Sequence, residues 1–419
     1  KTDSTPADKT ENPGACFTGY DGNIKSEIPA FCGCFIDDKR GVLKITDIDP
    51  SMYPPVISGL PTGAYHIYDY QFFYRSLEQN VSDRLNKYLY ALNYTDEGVD
   101  TECIITGYDQ YNKGPDSYFL MPGDKIAVIS PSGLPTQTQV DSTVEGLKAW
   151  GFEPVLGKYV CPATRTLNEQ TEDLIWALKD PSIKGIFCIR GGYGASGVMD
   201  NIPLDLIEKS SKPIIGYSDI TVYHSAWTEA GLPSIQSCMS VTFSESFPKE
   251  CKDAQLNLMT GNVPSYLCKS NTPGISGDAR GILIGGNLST FTSVLNTEYD
   301  CTGLKEPYIL FLEETGENIQ HLHRYLTILK HFGVIDNASG IIFGEWTGLP
   351  AGGAGNYGAT RGGKFETVAD MIQREFLEDT NIPIAFGFPA GHGDVNYPLL
   401  MGANVTLHVS EDQYTIEYK

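Results

Sequence analysis

From residue 123 onward, runs of consecutive apolar residues alternate with stretches in which apolar residues recur every three or four positions. The apolar runs lie at residues 125–130, 152–156, 183–189 and 213–215. The amphipathic stretches lie at residues 138–150 and 166–178 and near residues 204–208. Continuously apolar strands that alternate with helices are typical of a parallel sheet covered on both faces. The pattern therefore predicts an α/β domain over residues 121–240.

A second set of apolar runs predicts another domain over residues 280–419. Its predicted strands lie at residues 307–312, 341–343 and 382–386, and its predicted helices lie at residues 319–332 and 366–377. The tail, residues 404–418, alternates apolar and polar positions, which predicts an antiparallel hairpin. Residues 241–279 contain three prolines and no clear period, so we interpret them as an irregular linker between the two domains.

The first 120 residues follow neither pattern. Residues 1–14 are polar and lack aromatic residues, which predicts a disordered tether. Residues 15–120 are rich in Tyr, Phe, Pro and Gly, and we interpret them as an extension of unknown role. Within this extension the pattern predicts a strand at residues 42–48 and an amphipathic helix at residues 73–92.

Composition limits the class of protein. A chain of 419 residues with 41% hydrophobic and 20% charged residues is long enough for two globular domains or more. No run of 18 apolar residues occurs, so we expect no transmembrane segment. The net charge of -22 opposes binding to nucleic acid or to an anionic membrane, because both of these partners are negative.

The cysteines and the N-terminus bear on the compartment. Among ten cysteines, the candidates for disulfides in an oxidising compartment are Cys16, Cys32 and Cys34, and the pair Cys251 and Cys268. Cys188 lies in an apolar run and is expected to be a buried thiol. Cys32 and Cys34 lack a second pair at zinc spacing, so we expect no metal site.

The polar residues 1–14 resemble the tether left when a secretion or lipoprotein signal is removed. We therefore expect export to the cell envelope, with or without a lipid anchor. A plain polar terminus on a cytoplasmic protein is the alternative.

Three polar residues stand where a predicted strand has just ended. Ser218 lies between an apolar run and a predicted helix, Glu313 follows five apolar residues, and His392 lies between two glycines. Ligands of parallel sheets bind outside the carboxyl ends of the strands. A serine nucleophile needs an imidazole to take its proton, and the imidazole needs a carboxylate to hold its tautomer. The three residues are therefore expected to meet across a cleft between the two domains.

Each of these residues also has an ordinary interpretation. Ser218 is compatible with a capped strand-to-helix turn, Glu313 with the first solvated residue past a strand, and His392 with a loop histidine. Glu314 competes with Glu313 for the role of the acid.

Six short motifs carry a resemblance to a known family. They are Ser130-Pro-Ser132, Ile189-Arg-Gly-Gly-Tyr-Gly194, Ile215-Gly-Tyr-Ser-Asp-Ile-Thr221, Gly285-Gly-Asn-Leu288, Leu310-Phe-Leu-Glu313, and Gly391-His392 followed by Asn396. With these motifs in family order, the chain from about residue 123 to residue 419 resembles the LD-carboxypeptidases. These are serine peptidases, and the microcin-immunity peptidases are among them.

The resemblance implies a fold and a set of site residues. It implies α/β architecture, with a flavodoxin-like parallel-sheet N-terminal catalytic domain and a β-rich C-terminal domain. The implied catalytic triad is Ser218, Glu313 and His392. The implied oxyanion donors are the backbone N–H groups of Asp219 and of a glycine in the Gly191-Gly192 turn. The implied substrate-binding residues are Arg190, for a free carboxylate, and Tyr217.

The resemblance also implies an activity, which is release of a terminal D-amino acid from the LD bond of a murein tetrapeptide through an acyl-enzyme on Ser218. It implies a peptide or muropeptide substrate and no cofactor, and it leaves a homodimer open. One alternative is an immunity-type peptidase that cleaves a peptide–nucleotide or an acyl-amidate. Another is an inactive muropeptide-binding protein, in which Ser218 and His392 lie too far apart to react.

The chain departs from the family pattern in three places. The family often has a second arginine a few residues after Gly-Gly-Tyr-Gly, but here the run is Ala195-Ser196-Gly197-Val198. Asn296 stands where a glycine is common. Residues 1–120 lie outside the usual family pattern. These departures bear on which substrate the protein binds more than on the catalytic mechanism.

Overall fold

The computed structural model describes residues 101–110, 118–162, 164–270, 272–350, 367–377 and 380–418, and four two-residue strands nearer the N-terminus. The chain forms two compact units: Lys1–Thr95 with Gly348–Asn356, and Asp96–Thr347 with Tyr357–Lys419. The strands of the first unit are β1 (Phe35–Ile36), β2 (Val42–Leu43), β3 (His66–Ile67), β4 (Asn93–Tyr94) and β15 (Leu349–Pro350).

In the first unit the strands pair antiparallel, in the order β2-β1-β3, and β4 pairs with β15. The strand expected at residues 42–48 is described only at its first two residues. The helix expected at residues 73–92, the tether 1–14 and three of the candidate disulfide cysteines lie outside the described residues.

The second unit contains a six-stranded sheet that begins with the predicted α/β pattern. Its strands are β6 (Lys125–Ile129), β7 (Glu153–Leu156), β8 (Ile183–Cys188), β9 (Ile214–Gly216), β10 (Ser234–Gln236) and β17 (Leu399–Met401). The spatial order is β7-β6-β8-β9-β10-β17, and the first five strands are parallel. This is the 2-1-3-4-5 order of flavodoxin-like sheets, so the expected fold of this half is confirmed.

In the described part of the chain, five helices cover this sheet, and four of them lie where the sequence pattern predicted a helix; the short helix at residues 195–199 was not predicted. The five helices are α1 (Gln137–Ala149), α2 (Leu167–Lys179), α3 (Ala195–Met199), α4 (Leu204–Ser210) and α5 (Thr221–Glu229). Thr136 and Thr166 each begin a helix with a capping box, in which the hydroxyl and the side chain at the third helical position bond reciprocally to the backbone. Such a cap contributes about 1 kcal/mol, because it satisfies N–H groups that the helix leaves free.

The second sheet has eight strands and forms the β-rich half. Its strands are β5 (Thr101–Gln110), β11 (Asn262–Ser270), β12 (Gly277–Asn287), β13 (Tyr308–Thr315), β14 (Gly340–Thr347), β16 (Ile384–Phe386), β18 (Asn404–Val409) and β19 (Gln413–Tyr418). The order is β16-β14-β13-β12-β18-β19-β11-β5. The four strands β16, β14, β13 and β12 are parallel, and β18 and β19 form the predicted hairpin. The helices of this half are α6 (Lys249–Met259), α7 (Leu288–Thr292), α8 (Ile319–His331) and α9 (Val368–Phe376).

Residues 241–279, expected to be an irregular linker, contain α6, β11 and the start of β12. The prolines do not prevent this, because Pro248 stands at the N-cap of α6, where no N–H is needed. Residues 101–110 of the predicted extension also form β5, which pairs with β11 at the edge of the second sheet. Both segments therefore belong to the second domain. They contribute β5 and β11 to its sheet and α6 to its helices.

The cysteine pairing expected from the sequence is wrong for Cys251. Cys268 forms a disulfide with Cys103, which joins β11 to β5 across neighbouring strands. Cys251 is a free, buried thiol, and Cys188 is buried and free as predicted. A partner 165 positions away in sequence was not visible before the strand pairing was known.

The end of β12 lies in close contact with the start of α5. The Asn287 N–H, at the end of β12, donates to Thr221 Oγ1 at the start of α5 over 2.9 Å. A Cβ at Gly286 would lie 2.5 Å from the same hydroxyl oxygen, so only a glycine fits there. The later strand β17 pairs antiparallel with β10 and so joins the first sheet. These contacts join the two sheets within the second unit.

Candidate active site

Ser218 lies on a sharp turn between β9 and α5. Its φ is 68°, a left-handed conformation that residues with a side chain rarely adopt. Such a conformation costs on the order of 1–3 kcal/mol and persists only where the surroundings impose it. Below the turn, the buried His224 bonds through Nε2 to the Gly216 carbonyl at 3.0 Å. Ser218 is thus raised out of the sheet, and it is half-buried.

The carboxylate of Asp219 ties three loops together beneath this turn. Its Oδ2 accepts from the Ala195 N–H at 3.0 Å and from the Ser132 hydroxyl. In addition, the Gly133 N–H donates to the Gly191 carbonyl at 2.9 Å. The turn with Ser218 and the loops after β6 and β8 are therefore held as one group, which the family motifs alone did not indicate.

The Gly191-Gly192 turn passes directly beside the serine. A Cβ at Gly191 would lie 2.8 Å from Ser218 Cβ and 3.0 Å from Ser218 Oγ, so no side chain fits. Among the residues that the structure describes, no acceptor bonds to the N–H of Gly191 or Gly192. Asp219 directly follows the serine, at the start of the helical segment, where N–H groups are also left free. The arrangement offers backbone donors to an anion that forms next to Ser218.

Glu313 and His392 meet at the carboxyl ends of β13 and β16. Their Oε2 and Nδ1 atoms are 2.8 Å apart. Glu313 is 0% exposed, and the His392 side chain is 17% exposed. Gly391 has a φ of 140°, and a Cβ there would lie 2.8 Å from Glu313 Oε2, so the glycine lets the loop reach the carboxylate. With Nδ1 held by Glu313, Nε2 is the ring atom left for chemistry.

Glu314 has different partners. Its oxygens accept from Asn287 Nδ2 and from the backbone N–H of Ser289, each at 2.7 Å. Successive residues of a strand point to opposite faces, so two adjacent acids cannot share one partner. Burial, and next the charge of Glu313, raise the pKa of Glu314. The geometry therefore separates the two carboxylates: Glu313 contacts His392, and Glu314 holds the start of α7.

The environment of His392 favours its protonated form. Burial by itself lowers the pKa of the imidazole, but the charge and hydrogen bond of Glu313 and the charges of Glu314 and Glu345 outweigh burial. The pKa of His392 is raised above its ordinary value as a result. A base with this bias accepts a proton more readily at neutral pH.

The serine side and the histidine side approach each other through Tyr217. The Tyr217 ring lies 4.8 Å from the His392 ring, centroid to centroid, and burial raises the pKa of its phenol. Among the described residues, Ser218 Oγ and His392 share no hydrogen bond, and His392 bonds only to Glu313. The structure thus brings Ser218, Tyr217, Glu313 and His392 into one region.

Arg190 lies at the rim of this region. Its side chain is exposed, and Nη1 donates to the Leu134 carbonyl at 3.1 Å. Within the described part of the chain the guanidinium forms no ion pair. Asn296, one of the departures from the family pattern, has a φ of 59°. Asparagine tolerates this conformation better than most other residues with a side chain, so the turn can form with Asn296 in place of the glycine.

Two further residues hold the loop of His392: Asn396, which belongs to one of the family motifs, and Glu345, which was not singled out from the sequence. Asn396 bonds to both the N–H and the carbonyl of Gly391, and its Nδ2 also lies 3.2 Å from Cys238 Sγ. Glu345 accepts from the Gly393 N–H at 3.1 Å. A signal for Glu345 existed, because Glu345, like Glu313, comes soon after a run of apolar residues, and both lie within their strands.

The described residues contain no cluster of three or more side chains suited to hold a metal ion. In the same residues, every helix is too short or too polar to cross a membrane.

Comparison with known proteins identifies a class and then a family. Residues 126–237 match the LD-carboxypeptidase N-terminal domain, and residues 280–407 match the LD-carboxypeptidase C-terminal domain. These matches make the chain a peptidase of two domains, with the first match on the parallel sheet and the second on the β-rich half. The chain belongs to the LD-carboxypeptidase family, as its motifs indicated.

Individual relatives are distant but cover most of both chains. The murein tetrapeptide carboxypeptidase of Pseudomonas aeruginosa is 27% identical, over 65% of this chain and 89% of its own. The microcin C7 self-immunity protein MccF of Escherichia coli is 24% identical, over 71% and 94%. The solved muramoyltetrapeptide carboxypeptidase of Oxalobacter formigenes is 21% identical, with a TM-score of 0.59 over 70% of this chain and 99% of its own. This last likeness confirms the fold.

Proposed function

We propose that the protein is a serine carboxypeptidase that hydrolyses the LD peptide bond of murein tetrapeptides and releases the terminal D-amino acid. The observation that carries the proposal is the 2.8 Å contact between Glu313 Oε2 and His392 Nδ1 beside the strained turn of Ser218. The names of relatives that act on murein peptides support the substrate class.

In this mechanism His392 Nε2 removes the proton from Ser218 Oγ as the oxygen attacks the scissile carbonyl carbon. Glu313 holds the Nδ1 proton and stabilises the imidazolium that forms. The developing oxyanion accepts hydrogen bonds from backbone N–H groups at Asp219 and in the Gly191-Gly192 turn. His392 then gives its proton to the leaving amine, and a D-amino acid departs.

A water molecule completes the cycle. His392 takes a proton from it, the hydroxide attacks the acyl-enzyme ester, and Ser218 recovers its proton from the imidazolium. The exposed Arg190 is the proposed partner of the terminal carboxylate of the substrate, and Tyr217 is proposed to line the substrate site. The absence of a Ser218–His392 hydrogen bond among the described residues is compatible with this role, because such bonds are often long before substrate binds.

The direct test is hydrolysis of a panel of muropeptides by the protein and by Ser218→Ala. We expect loss of turnover by a factor on the order of 10³ or more, with unchanged thermal unfolding. Product analysis identifies the released amino acid. Normal turnover by Ser218→Ala would contradict the triad.

An immunity-type activity is the second candidate, favoured by the similarity to MccF over 94% of that protein. It keeps the same residues and changes the substrate to an aminoacyl sulfamoyl adenosine or a related amidate. We expect a larger kcat/KM for the murein tetrapeptide, and the reverse ratio would favour the second candidate. A serine-directed phosphonate that labels Ser218 would exclude the inactive binding protein.

A further inference from the structure

Glu345 stands in the sixth position of β14 and contacts the loop of His392 on both sides. Its backbone N–H donates to the Ala390 carbonyl at 3.4 Å, and its Oε2 accepts from the Gly393 N–H at 3.1 Å. The two bonded residues flank Gly391 and His392 in the sequence. One residue of a buried sheet therefore fixes the loop before and after the histidine.

The fit between this loop and β14 leaves no free space. A Cβ at Gly393 would lie 2.2 Å from Glu345 Oε2. A Cβ at Gly344 would lie 2.7 Å from the Ala390 carbonyl oxygen and 3.0 Å from Glu313 Cβ. The loop thus rests on Gly344 and Glu345, and any displacement of Glu345 moves the backbone that carries His392.

We propose that Glu345 is a positioning residue for His392, and that its negative charge tunes the basicity of the imidazole. This inference rests on the proposed function, in which His392 is the general base. Glu345 does not itself contact the Glu313–His392 hydrogen bond. It acts through the loop geometry and through the charge that it adds on one side of the imidazole.

The surroundings of Glu345 raise the pKa of its carboxyl group. Burial, and then the charges of Glu313 and Asp394, raise its pKa to about 7, against the Gly393 hydrogen bond and the charge of His392, which lower it. Titratable groups face it from the neighbouring elements: Glu313 on β13, His392 and Asp394 in the loop, Cys238 after β10 and Cys251 on α6. Glu345 therefore gains or loses its charge near neutral pH, close to His392.

Two variants separate geometry from charge. Glu345→Gln keeps an oxygen that can accept from the Gly393 N–H but carries no charge, whereas Glu345→Ala removes both. We expect Glu345→Ala to lower kcat by about 10- to 100-fold with little change in KM, because a small misplacement of a catalytic group has effects of this size. Glu345→Gln is expected to recover most of that kcat.

The pH dependence of kcat/KM is the decisive measurement, because a purely structural role of Glu345 would leave it unchanged. Loss of the negative charge lowers the pKa of His392, so the acid limb of kcat/KM moves to lower pH in both variants. The His392 titration followed by NMR, assigned with His392→Gln, is expected to move in the same direction. Glu411→Gln, an exposed carboxylate in the turn between β18 and β19, is the control and leaves both measurements unchanged.

The outcomes distinguish this inference from the proposed function. Turnover that depends on Ser218, together with an unmoved acid limb and unmoved His392 titration in Glu345→Gln, would refute the role of Glu345 alone. Turnover that does not depend on Ser218 would refute the proposed function. In that case the NMR titration still tests the effect of Glu345 on His392 and overturns the inference if His392 titrates as in the unaltered protein.

Discussion

The two halves of the candidate site are held in place by different means. On the parallel sheet, Ser218 is positioned by its own backbone, with a φ of 68° and neighbouring loops tied by Asp219. On the β-rich half, His392 lies on a loop whose place depends on two carboxylates from different strands, Glu313 and Glu345. Ser218, the proposed nucleophile, is thus held by local conformation, and His392, the proposed base, is held by carboxylates distant in sequence.

This difference has a consequence for how each half responds to change. A local turn transmits strain and steric clashes, so substitutions there are expected to act through geometry. A loop supported by one buried and one half-buried carboxylate responds to charge as well, so the histidine side is expected to be sensitive to pH. The predictions below test this contrast from the largest expected effect to the smallest.

The largest effect is expected from substitution of Glu313, the proposed triad acid, which contacts His392. Glu313→Gln keeps the shape of the side chain but cannot hold the imidazolium, and we expect kcat to fall on the order of 10³- to 10⁴-fold. Glu314→Gln is the matched control, because it lies next in sequence but bonds to Asn287 and Ser289. Its kcat is expected to change far less. Equal losses in steady-state assays of the two variants would remove the distinction between the two acids.

The next effect concerns the glycine beside the serine. In Gly191→Ala the new Cβ would lie 2.8 Å from Ser218 Cβ, so the turn must move. We expect kcat/KM to fall by about 100-fold, since donors and nucleophile lose their alignment. Gly303→Ala is the control, because nothing lies within 4 Å of a Cβ there. If both variants keep full activity, the serine side is not fixed by this contact.

A smaller effect is expected from the buried histidine under the turn. Burial lowers the pKa of His224 to about 4, although its hydrogen bond to Gly216 opposes this. The folded state keeps it neutral, while the unfolded chain takes up a proton below about pH 6.5, so stability is lost as pH falls from about 6.5 to about 4. Titration of His224 lowers the free energy of unfolding by about 3 kcal/mol at most over this pH range.

Urea unfolding at pH 7 and at pH 4.5 measures this loss. His224→Gln is expected to be less stable at pH 7 but to show a smaller decrease between the two pH values. His331→Gln, at an exposed position on α8, is expected to keep the full decrease. An identical decrease in the unaltered protein and in His224→Gln would show that other groups cause the acid sensitivity.

The smallest effect is a difference in stability between two substitutions of Ser218, the proposed nucleophile. Ser218→Gly and Ser218→Ala both remove the hydroxyl, so both are expected to be inactive. Glycine adopts a φ of 68° without strain, and we expect Ser218→Gly to be the more stable of the two by about 1 kcal/mol. Thermal unfolding at one pH compares them. Greater stability of the alanine variant would mean that the turn is not strained.

Much of the fold was predictable because its signals are local. Apolar runs and helical periods located four of the six described strands of the first sheet and four of the five described helices that cover it. Glu313 and His392 were predictable as a pair only because each comes soon after a run of apolar residues and both match family motifs. Glu345 also comes soon after an apolar run, but nothing local indicates that a loop almost 50 residues later lies on it.

The segment 241–279 shows where such reasoning failed. Its prolines and irregular pattern predicted a linker, yet it forms α6 and β11. The strand is stabilised by pairing with β5 on one side and β19 on the other, and by the disulfide from Cys268 to Cys103. These partners lie far away in sequence, so a local reading of propensity could not include them.

The sequence by itself determined the α/β pattern, the strand ends at which Ser218, Glu313 and His392 stand, and membership in the LD-carboxypeptidase family. Tertiary structure alone decided which acid contacts the histidine, which glycines must remain glycine and which residues support the loop. The physical reason is range: hydrophobic period and capping act within one element, whereas hydrogen bonds and charges act between residues that only folding brings together.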